Sequence, residues 1–239
     1  MTTLVLRLVG PMQSWGESSR FARRATEQAP TKSGVVGLLA AARGLRRTDP
    51  LEDLLSLAFG VRVDQPGRVE RDFHTARTAD GSGAFPLTNR FYLTDAGFVA
   101  AVEGAAELIE SLDHALRHPA FPLYLGRRSC PPAGPVTIGI RDAPLWDVLQ
   151  SEPWQAAKWW RRRQGPGVDL DLLVDAVAVP TGVRPFRESE HHDDPVSFDP
   201  MLREYGWRTV AHDYVRVLND QSSVRPMTSH DPLSLLGGA

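Results

Sequence analysis

Three side chains that can contact an unpaired nucleotide lie together in a short turn near the start of the chain. The turn spans residues 10–16, follows an alternating apolar run at residues 4–9, and carries Gln13, Ser14 and Trp15. A strand that ends in Gly-Pro and resumes at Gly predicts a sharply bent, exposed loop. In such a loop an indole ring could stack on a base, while the amide and the hydroxyl could hydrogen-bond base edges or phosphate. The alternative is a tight turn whose tryptophan packs back onto the core.

A second candidate for anion binding is the start of the next predicted helix, which covers residues 32–47. Thr31 or Ser33 can cap its first turn, where free backbone N–H groups and the helix dipole favour an anion. Lys32 and Ser33 also resemble the end of a nucleotide-binding P-loop. That motif requires glycines that are absent here, because Thr31 precedes the lysine and residues 22–28 contain no glycine. The pattern therefore predicts a helix start suited to phosphate rather than an ATPase.

A third candidate is the loop that follows a predicted strand at residues 123–125. Gly126 lets the backbone approach a phosphate closely, and Arg127 and Arg128 supply two guanidinium groups with forked donors. The alternative is a solvated turn ahead of a proline pair.

The distribution of charge favours one nucleic-acid-binding face, although the whole chain carries a formal net charge of only −2. Residues 1–47 contain eight basic and two acidic residues, whereas residues 169–220 contain eleven acidic residues and five arginines. Ordinary solvated charge would be mixed, whereas a protein with one nucleic-acid face and one unrelated face would segregate it.

Composition narrows the class of protein further. A chain of 239 residues with 42% hydrophobic residues supports a proper core, and it lacks an apolar run of membrane-spanning length or a signal-peptide pattern. The single cysteine, Cys130, cannot form an internal disulfide, which fits a cytoplasmic location. Residues 188–194 read as an exposed polar loop in which His191 and His192 would point to opposite faces. We therefore expect no metal, no other cofactor and no membrane partner.

Six motifs occur in order along roughly the first 135 residues, and together they resemble the CasD family, the small RAMP-type subunits of type I-E CRISPR Cascade complexes. The motifs lie at residues 10–16, 30–42, 59–64, 72–76, 90–93 and 125–131. The resemblance implies an RRM-like, ferredoxin-type fold with an inserted hairpin arm. It also implies binding to the 5′ handle of the guide RNA (crRNA), beside a CasC-like backbone subunit and a CasA-like large subunit, with target DNA involved only indirectly.

Periodicity leads independently to an α+β, ferredoxin-like fold. The predicted order of strand, helix, strand, strand, helix, strand is that of a ferredoxin-like domain. The elements that give this order are strands at residues 4–9, 61–63, 69–76, 89–93, 98–102 and 123–125 and helices at residues 32–47, 50–59 and 105–118. We place this RAMP domain at residues 1–140, with the arm near 78–88, a β-rich C-terminal unit at 141–219 that includes strands at 176–179 and 209–218, and a flexible tail at 220–239.

These motifs and the resemblance predict a binding site without catalytic residues. The arm would press against a neighbouring backbone subunit. The predicted RNA-binding residues are Gln13, Ser14, Trp15, Arg20, Arg23, Arg24, Lys32, Ser33, His74, Arg90, Arg127 and Arg128.

Two other functions stay open at this point. A metal-independent ribonuclease would need a base beside the 2′-hydroxyl and a cation or tyrosine for the phosphate, and His74, Tyr92 and Lys32 could converge to supply them. A pure protein–protein adaptor would leave the RNA to its neighbours. The interleaved tryptophans and arginines at residues 154–163 fit base stacking, a partner contact or core aromatics with a basic edge.

Overall fold

The computed structural model describes residues 1–16 and 23–224. Its strands are β1 (Thr2–Val9), β2 (Met12–Gln13), β3 (Arg23–Arg24), β4 (Ala58–Gln65), β5 (Arg68–His74), β6 (Thr88–Thr94), β7 (Gly97–Gly104), β8 (Thr137–Arg141), β9 (Gly167–Asp175), β10 (Arg187–Ser197) and β11 (Glu204–Leu218). Its helices are α1 (Lys32–Ala42), α2 (Glu52–Leu55), α3 (Ala106–Arg117), α4 (Leu145–Ser151) and α5 (Lys158–Arg163), with a 3₁₀ turn at Ala176–Ala178.

The central sheet has the strand order β10-β11-β9-β4-β7-β1-β8. Within it, β8-β1-β7-β4 are antiparallel neighbours. Helix α1 connects β1 towards β4, and α3 connects β7 to β8. This βαββαβ arrangement is a ferredoxin-like domain, so the predicted fold class is confirmed.

Alternation along β1 gives the central sheet two apolar faces. Leu4, Leu6 and Leu8 lie in the core formed with α1 and α3, whereas Val5 packs against Leu145 of α4 on the opposite face. Because successive side chains of a strand point to opposite faces, β1 joins two helical layers through one sheet.

Helix α1 forms where the sequence pattern places it. The Thr31 hydroxyl accepts a hydrogen bond from the backbone N–H of Gly34, and Val35, Leu38 and Leu39 are buried at helical spacing. The helix ends at Ala42, before Gly44 takes a φ of +80°, and is therefore shorter than the predicted 32–47.

A second, smaller sheet carries the inserted arm. Its strand β6 pairs with β2, β3 and β5. The β5–β6 hairpin, closed near its tip by a bridge between Arg77 and Ala84, is the predicted arm. Nearly all of β5 is exposed.

The β-rich C-terminal region continues the central sheet. Strand β9 pairs with β4 on one side and with β11 on the other. The proposed boundary at residue 140 stays a prediction, and residues 225–239 of the predicted tail lie outside the described residues. Within the described parts of the chain, no helix is both long enough and apolar enough to cross a bilayer.

Four predicted elements need correction. Residues 123–125 are not a strand, because β7 and β8 already occupy both edges of β1. Residues 176–179 fall on the 3₁₀ turn that follows β9, and the helix predicted at 50–59 is confined to α2 because β4 begins at Ala58. Residues 188–194 belong to β10 rather than to a loop, since their backbone pairs with β11 despite their polarity.

Candidate nucleic-acid interface

The turn at residues 10–16 and the loop at residues 125–131 are in direct contact. The backbone N–H of Ser14 donates to the carbonyl of Leu125 at 3.1 Å. Gly126 has a φ of +88°, and a Cβ added to it would lie 1.7 Å from the Ser14 carbonyl oxygen. Only glycine permits this approach, which brings two of the predicted motifs together.

Trp15 and Gln13 form the buried frame of this contact. Neither residue has exposed surface. The Trp15 ring lies against Gly34 of α1, where an added Cβ would be 2.8 Å from the ring, and its Nε1 donates to Gln13 Oε1 at 3.0 Å. Gln13 Nε2 in turn donates to the carbonyls of Leu8 and Ala96. The base-stacking role predicted for Trp15 is therefore wrong. The alternative is correct, because the indole packs back onto the core.

Ser14 is also engaged within the protein. It is almost fully buried, and its Oγ donates to the carbonyl of Phe91 at 3.3 Å. Its hydroxyl therefore helps to attach the turn to β6.

The start of α1 already holds an anion, and that anion is part of the protein. The backbone N–H of Lys32 donates to Asp193 Oδ2 at 2.7 Å. Lys32 Nζ pairs with Asp194 at 2.8 Å and with Asp175 at 3.3 Å. Arg208 joins the group by pairing with Asp193 at 2.7 Å and with Asp175 at 2.6 Å. Burial lowers the pKa of Arg208, but these carboxylates outweigh it and leave that pKa raised.

The phosphate-binding roles predicted for Lys32 and Ser33 are corrected by this network. Both side chains are buried, and Ser33 Oγ faces the Thr31 hydroxyl at 3.5 Å. A carboxylate satisfies the helix start, so no free anion is needed there.

Arg127 fixes the junction between β3 and β6. Its Nη1 donates to the carbonyl of Phe91 at 3.0 Å and its Nη2 to the carbonyl of Arg24 at 2.9 Å. Its guanidinium also lies 4.9 Å from the centre of the Tyr92 ring. This half-buried side chain donates its hydrogen bonds to backbone carbonyls and thereby positions the residues around it.

The cations beside Arg127 are available to a ligand. Arg24 and Arg128 are exposed, and Arg90 is half-buried next to Tyr92. Within residues 1–16 and 23–224, none of these three has an ion-pair partner. We call Arg24, Arg90, Tyr92, Arg127 and Arg128 the basic junction.

The environment of Tyr92 reflects this concentration of positive charge. Burial raises the pKa of its phenol, but hydrogen bonds with Ser129, Arg127 and Arg90 outweigh burial and leave that pKa below its ordinary value. The junction therefore favours negative charge at its centre.

His74 lies away from the basic junction. Its Nε2 is 2.8 Å from Asp72 Oδ2, and in the β5–β6 ladder it opposes Thr88. Tyr92 lies four residues further along β6, which is about 13 Å. His74, Tyr92 and the buried Lys32 thus do not converge, and the arrangement expected for a ribonuclease is absent from the described residues.

Two predicted arginines are described in part or not at all. The backbone of Arg23 pairs with Asn89 in the parallel β3–β6 ladder. Arg20 lies outside the described residues.

Sequence reasoning missed the apolar surface of the arm. Val69, Phe73, Phe85 and Leu87 are all about half exposed or more. The signal was present, because Val69 and Phe73 share one face of a strand whose other residues are polar and which is exposed along nearly its whole length.

The ferredoxin-like sheet, the hairpin arm and the glycine loop packed on the first turn define a RAMP-type protein. The family model for CRISPR-associated protein (Cas_Cas5) matches residues 3–211, and the chain belongs to that family. This match, together with the relatives described next, confirms the resemblance to the CasD family.

Individual relatives agree with this assignment. The chain is 39% identical over 172 residues to the "CRISPR system Cascade subunit CasD" of Escherichia coli (strain K12), which covers 63% of this chain and 77% of that protein. A chain of a "CRISPR RNA-guided surveillance complex" superposes with a TM-score of 0.74 at 32% identity, over 94% of this chain and 95% of that one. A "Crystal structure of Cas protein" superposes with a TM-score of 0.69 at 35% identity, over 94% and 99%.

Proposed function

We propose that this protein is a non-catalytic subunit of a CRISPR antiviral surveillance complex of the Cascade type, and that it binds and caps the 5′ handle of the crRNA. The observation that carries the proposal is the basic junction beside the contact between Ser14 and Gly126. There Arg24, Arg90 and Arg128 have no ion-pair partner among the described residues, and the pKa of Tyr92 is lowered. The likeness to a chain of an RNA-guided surveillance complex supports the same function.

The roles within the junction follow from burial and partners. Arg128 and Arg24 are exposed and would neutralise handle phosphates, and Arg90 would act beside them. Arg127 and the buried Trp15 would hold the loop and the turn in place rather than contact RNA. The junction thus separates the residues that bind RNA from those that position them.

The arm would contact other subunits. Its exposed Phe73 and Phe85, with Val69 and Leu87, place four large apolar side chains on one hairpin, which favours a protein contact. A CasC-like backbone subunit would cover the arm, and a CasA-like large subunit would lie nearby. Target DNA would be involved only through the assembled complex.

Charge reversal at Arg128 tests RNA binding. The Arg128→Glu variant should weaken binding of handle RNA by about ten- to a hundred-fold, because a phosphate contact becomes a repulsion. The control is Arg47→Glu, which makes the same charge change at an exposed site after the C-terminal end of α1. It should leave binding unchanged. The measurement is the anisotropy of labelled handle RNA, together with crRNA occupancy of the reconstituted complex. Unchanged occupancy in an intact complex would reject RNA binding at the junction and favour the adaptor function.

A cleavage assay tests the non-catalytic part of the proposal. Purified protein incubated with repeat RNA in EDTA should leave the RNA intact, since His74 and Tyr92 are held apart on the ladder. Specific cleavage that His74→Ala abolishes would contradict the proposal.

A further inference from the structure

A cleft of about 560 Å³ lies on the opposite face of the central sheet from Trp15. It opens between the end of β1 and helix α5, and its charged and aromatic lining comes from Arg7, Asp95, Lys158, Trp159 and Arg161. Arg7 points there because the core-facing leucines of β1 occupy the alternate positions.

The cations that line this cleft outnumber its acids, although the buried Asp64, which pairs with Arg62, also attracts Arg161. None of Arg7, Lys158 and Arg161 has an ion-pair partner among the residues that the structure describes, and Asp95 is the acid that lines the cleft. Arg162 and Arg163 follow on α5, and both are exposed. The Nε of Arg161 is buried without a hydrogen-bond partner. The cleft therefore carries an excess of positive charge aimed at a space of nucleotide size.

An aromatic ring stands at the mouth of the cleft. Trp159 is 44% exposed, and the Arg163 guanidinium lies 5.3 Å from its ring centre. Trp160 meets it almost perpendicularly at 5.8 Å. An exposed indole with a guanidinium group beside it is a stacking platform for a nucleobase.

The segment that presents these groups is held at both ends by buried polar side chains. Before α5, Trp154 Nε1 donates to the carbonyl of Asp64, and the N–H of Ala157 donates to Gln65 Oε1. After α5, the buried Asn219 Nδ2 donates to the carbonyls of Arg161 at 2.8 Å and Gly165 at 2.9 Å. The platform is thus fixed in advance, which lowers the entropic cost of binding.

We propose that this cleft is a second binding site, distinct from the basic junction, for an unpaired nucleic-acid segment. A base stacks on Trp159, and Arg7, Lys158 and Arg161 hold its phosphates, with Arg162 and Arg163 extending the path along the strand. RNA and DNA share the chemistry that such a site reads, namely an unstacked base and a phosphodiester chain.

Two exposed tryptophans provide a matched test of stacking. The full-length protein is titrated with labelled oligouridylate and oligothymidylate. Trp159→Ala should weaken binding by about ten-fold or more, and Trp159→Phe should restore most of it. Trp207→Ala removes an indole that is 67% exposed elsewhere and should change nothing. Equal effects of Trp159→Ala and Trp207→Ala, or no effect of Trp159→Ala, would overturn the proposal.

Salt dependence tests the phosphate contacts. Neutralising Lys158 and Arg161 to Gln should make the slope of log K against log salt shallower by about 1.4, which corresponds to two lost contacts with a single strand. Arg216→Gln, at an exposed arginine paired with Asp169, is the control and should leave the slope unchanged. Because Arg161 also lies over Trp154, Lys158→Gln alone is measured too, with an expected change of about 0.7.

The ligand class and the independence of the site are tested in the same assay. Tighter binding of oligouridylate assigns RNA and tighter binding of oligothymidylate assigns DNA, and either supports the site. Displacement by polyglutamate as efficient as by unlabelled oligonucleotide would overturn it, since the cleft would then read charge alone. Trp159→Ala should leave handle binding intact, and Arg128→Glu should leave Trp159-dependent binding intact, so either proposal can fail without the other.

Discussion

The start of α1 and the loop around Gly126 both have the sequence features of an anion site, but they differ in their partners within the protein. At α1 the carboxylate of Asp193 accepts from the first helical N–H, and Lys32 is buried between Asp175 and Asp194. At the loop the guanidinium of Arg127 is bound by backbone carbonyls, while Arg128 stays exposed. A basic motif can therefore serve an external ligand only where no acid from elsewhere in the chain already occupies it.

Removing Asp193 should produce the largest effect on this comparison. Asp193→Ala removes the acceptor of the Lys32 N–H and leaves Arg208 with Asp175 as its remaining carboxylate, which should lower the free energy of unfolding by about 3–5 kcal/mol. The measurement is urea denaturation. Asp169→Ala, which breaks the exposed pair with Arg216, should cost only about 0–1 kcal/mol. Equal losses in the two variants would mean that the α1 network is not a structural anion site.

Adding one methyl group at Gly126 should have an intermediate effect. In Gly126→Ala the new Cβ meets the Ser14 carbonyl, and a φ of +88° is strained for alanine, so we expect a loss of about 1–3 kcal/mol and weaker handle binding as the loop moves. Gly134→Ala is the control, because an added Cβ there meets nothing within 4 Å. Thermal unfolding and RNA anisotropy measure the two effects. Handle affinity that survives in a destabilised Gly126→Ala variant would show that the loop contact does not position the junction.

The smallest expected effect is a pH dependence at Tyr92. Its pKa in the folded protein is below the value of about 10 expected for the unfolded chain, so the native state loses the proton first. The unfolded state then binds more protons, and stability should rise with pH between the two pKa values. This contribution is lost as the pH falls through the folded pKa.

Tyrosinate absorbance and unfolding across that pH range measure the effect. Tyr92→Phe should abolish the rise in stability, and Arg127→Ala should move the pKa upward because a stabilising cation is removed. Tyr214→Phe, at an exposed tyrosine, is the control. A Tyr92 titration that Arg127→Ala does not change would show that the junction lacks the positive field proposed for it.

Local patterns were sufficient to predict much of the fold. The alternation of Leu4, Leu6 and Leu8 defines β1, and helical spacing defines α1 and α3. Residues 123–125 have strand-like composition, but β7 and β8 already occupy both edges of β1. Whether a strand edge is free depends on distant parts of the chain, so local composition could not predict this. The β10 segment shows the converse, since backbone pairing with β11 overrides its polar composition.

The candidate site was predictable in its motifs but not in the roles of single residues. The turn at residues 10–16 and the loop after Leu125 were both found from their glycines, and in the structure Ser14 and Gly126 meet. The partner of Lys32, in contrast, lies 161 residues away along the chain, beyond any pattern that spacing can reveal. The sequence could not decide whether Trp15 is exposed or buried for a related reason. Its ring packs against Gly34, which lies on a different element, α1.

The long span between Lys32 and Asp193 also governs how this polypeptide can be divided. During translation the first amide of α1 cannot meet its carboxylate acceptor until the chain has been made as far as Asp193. A split version cut anywhere between these two residues would depend on reassociation of the fragments to restore that contact. In the isolated protein, the exposed tip of the arm around Gly81 is accordingly the place where a break is best tolerated, because the paired strands on either side can bring the two pieces back together.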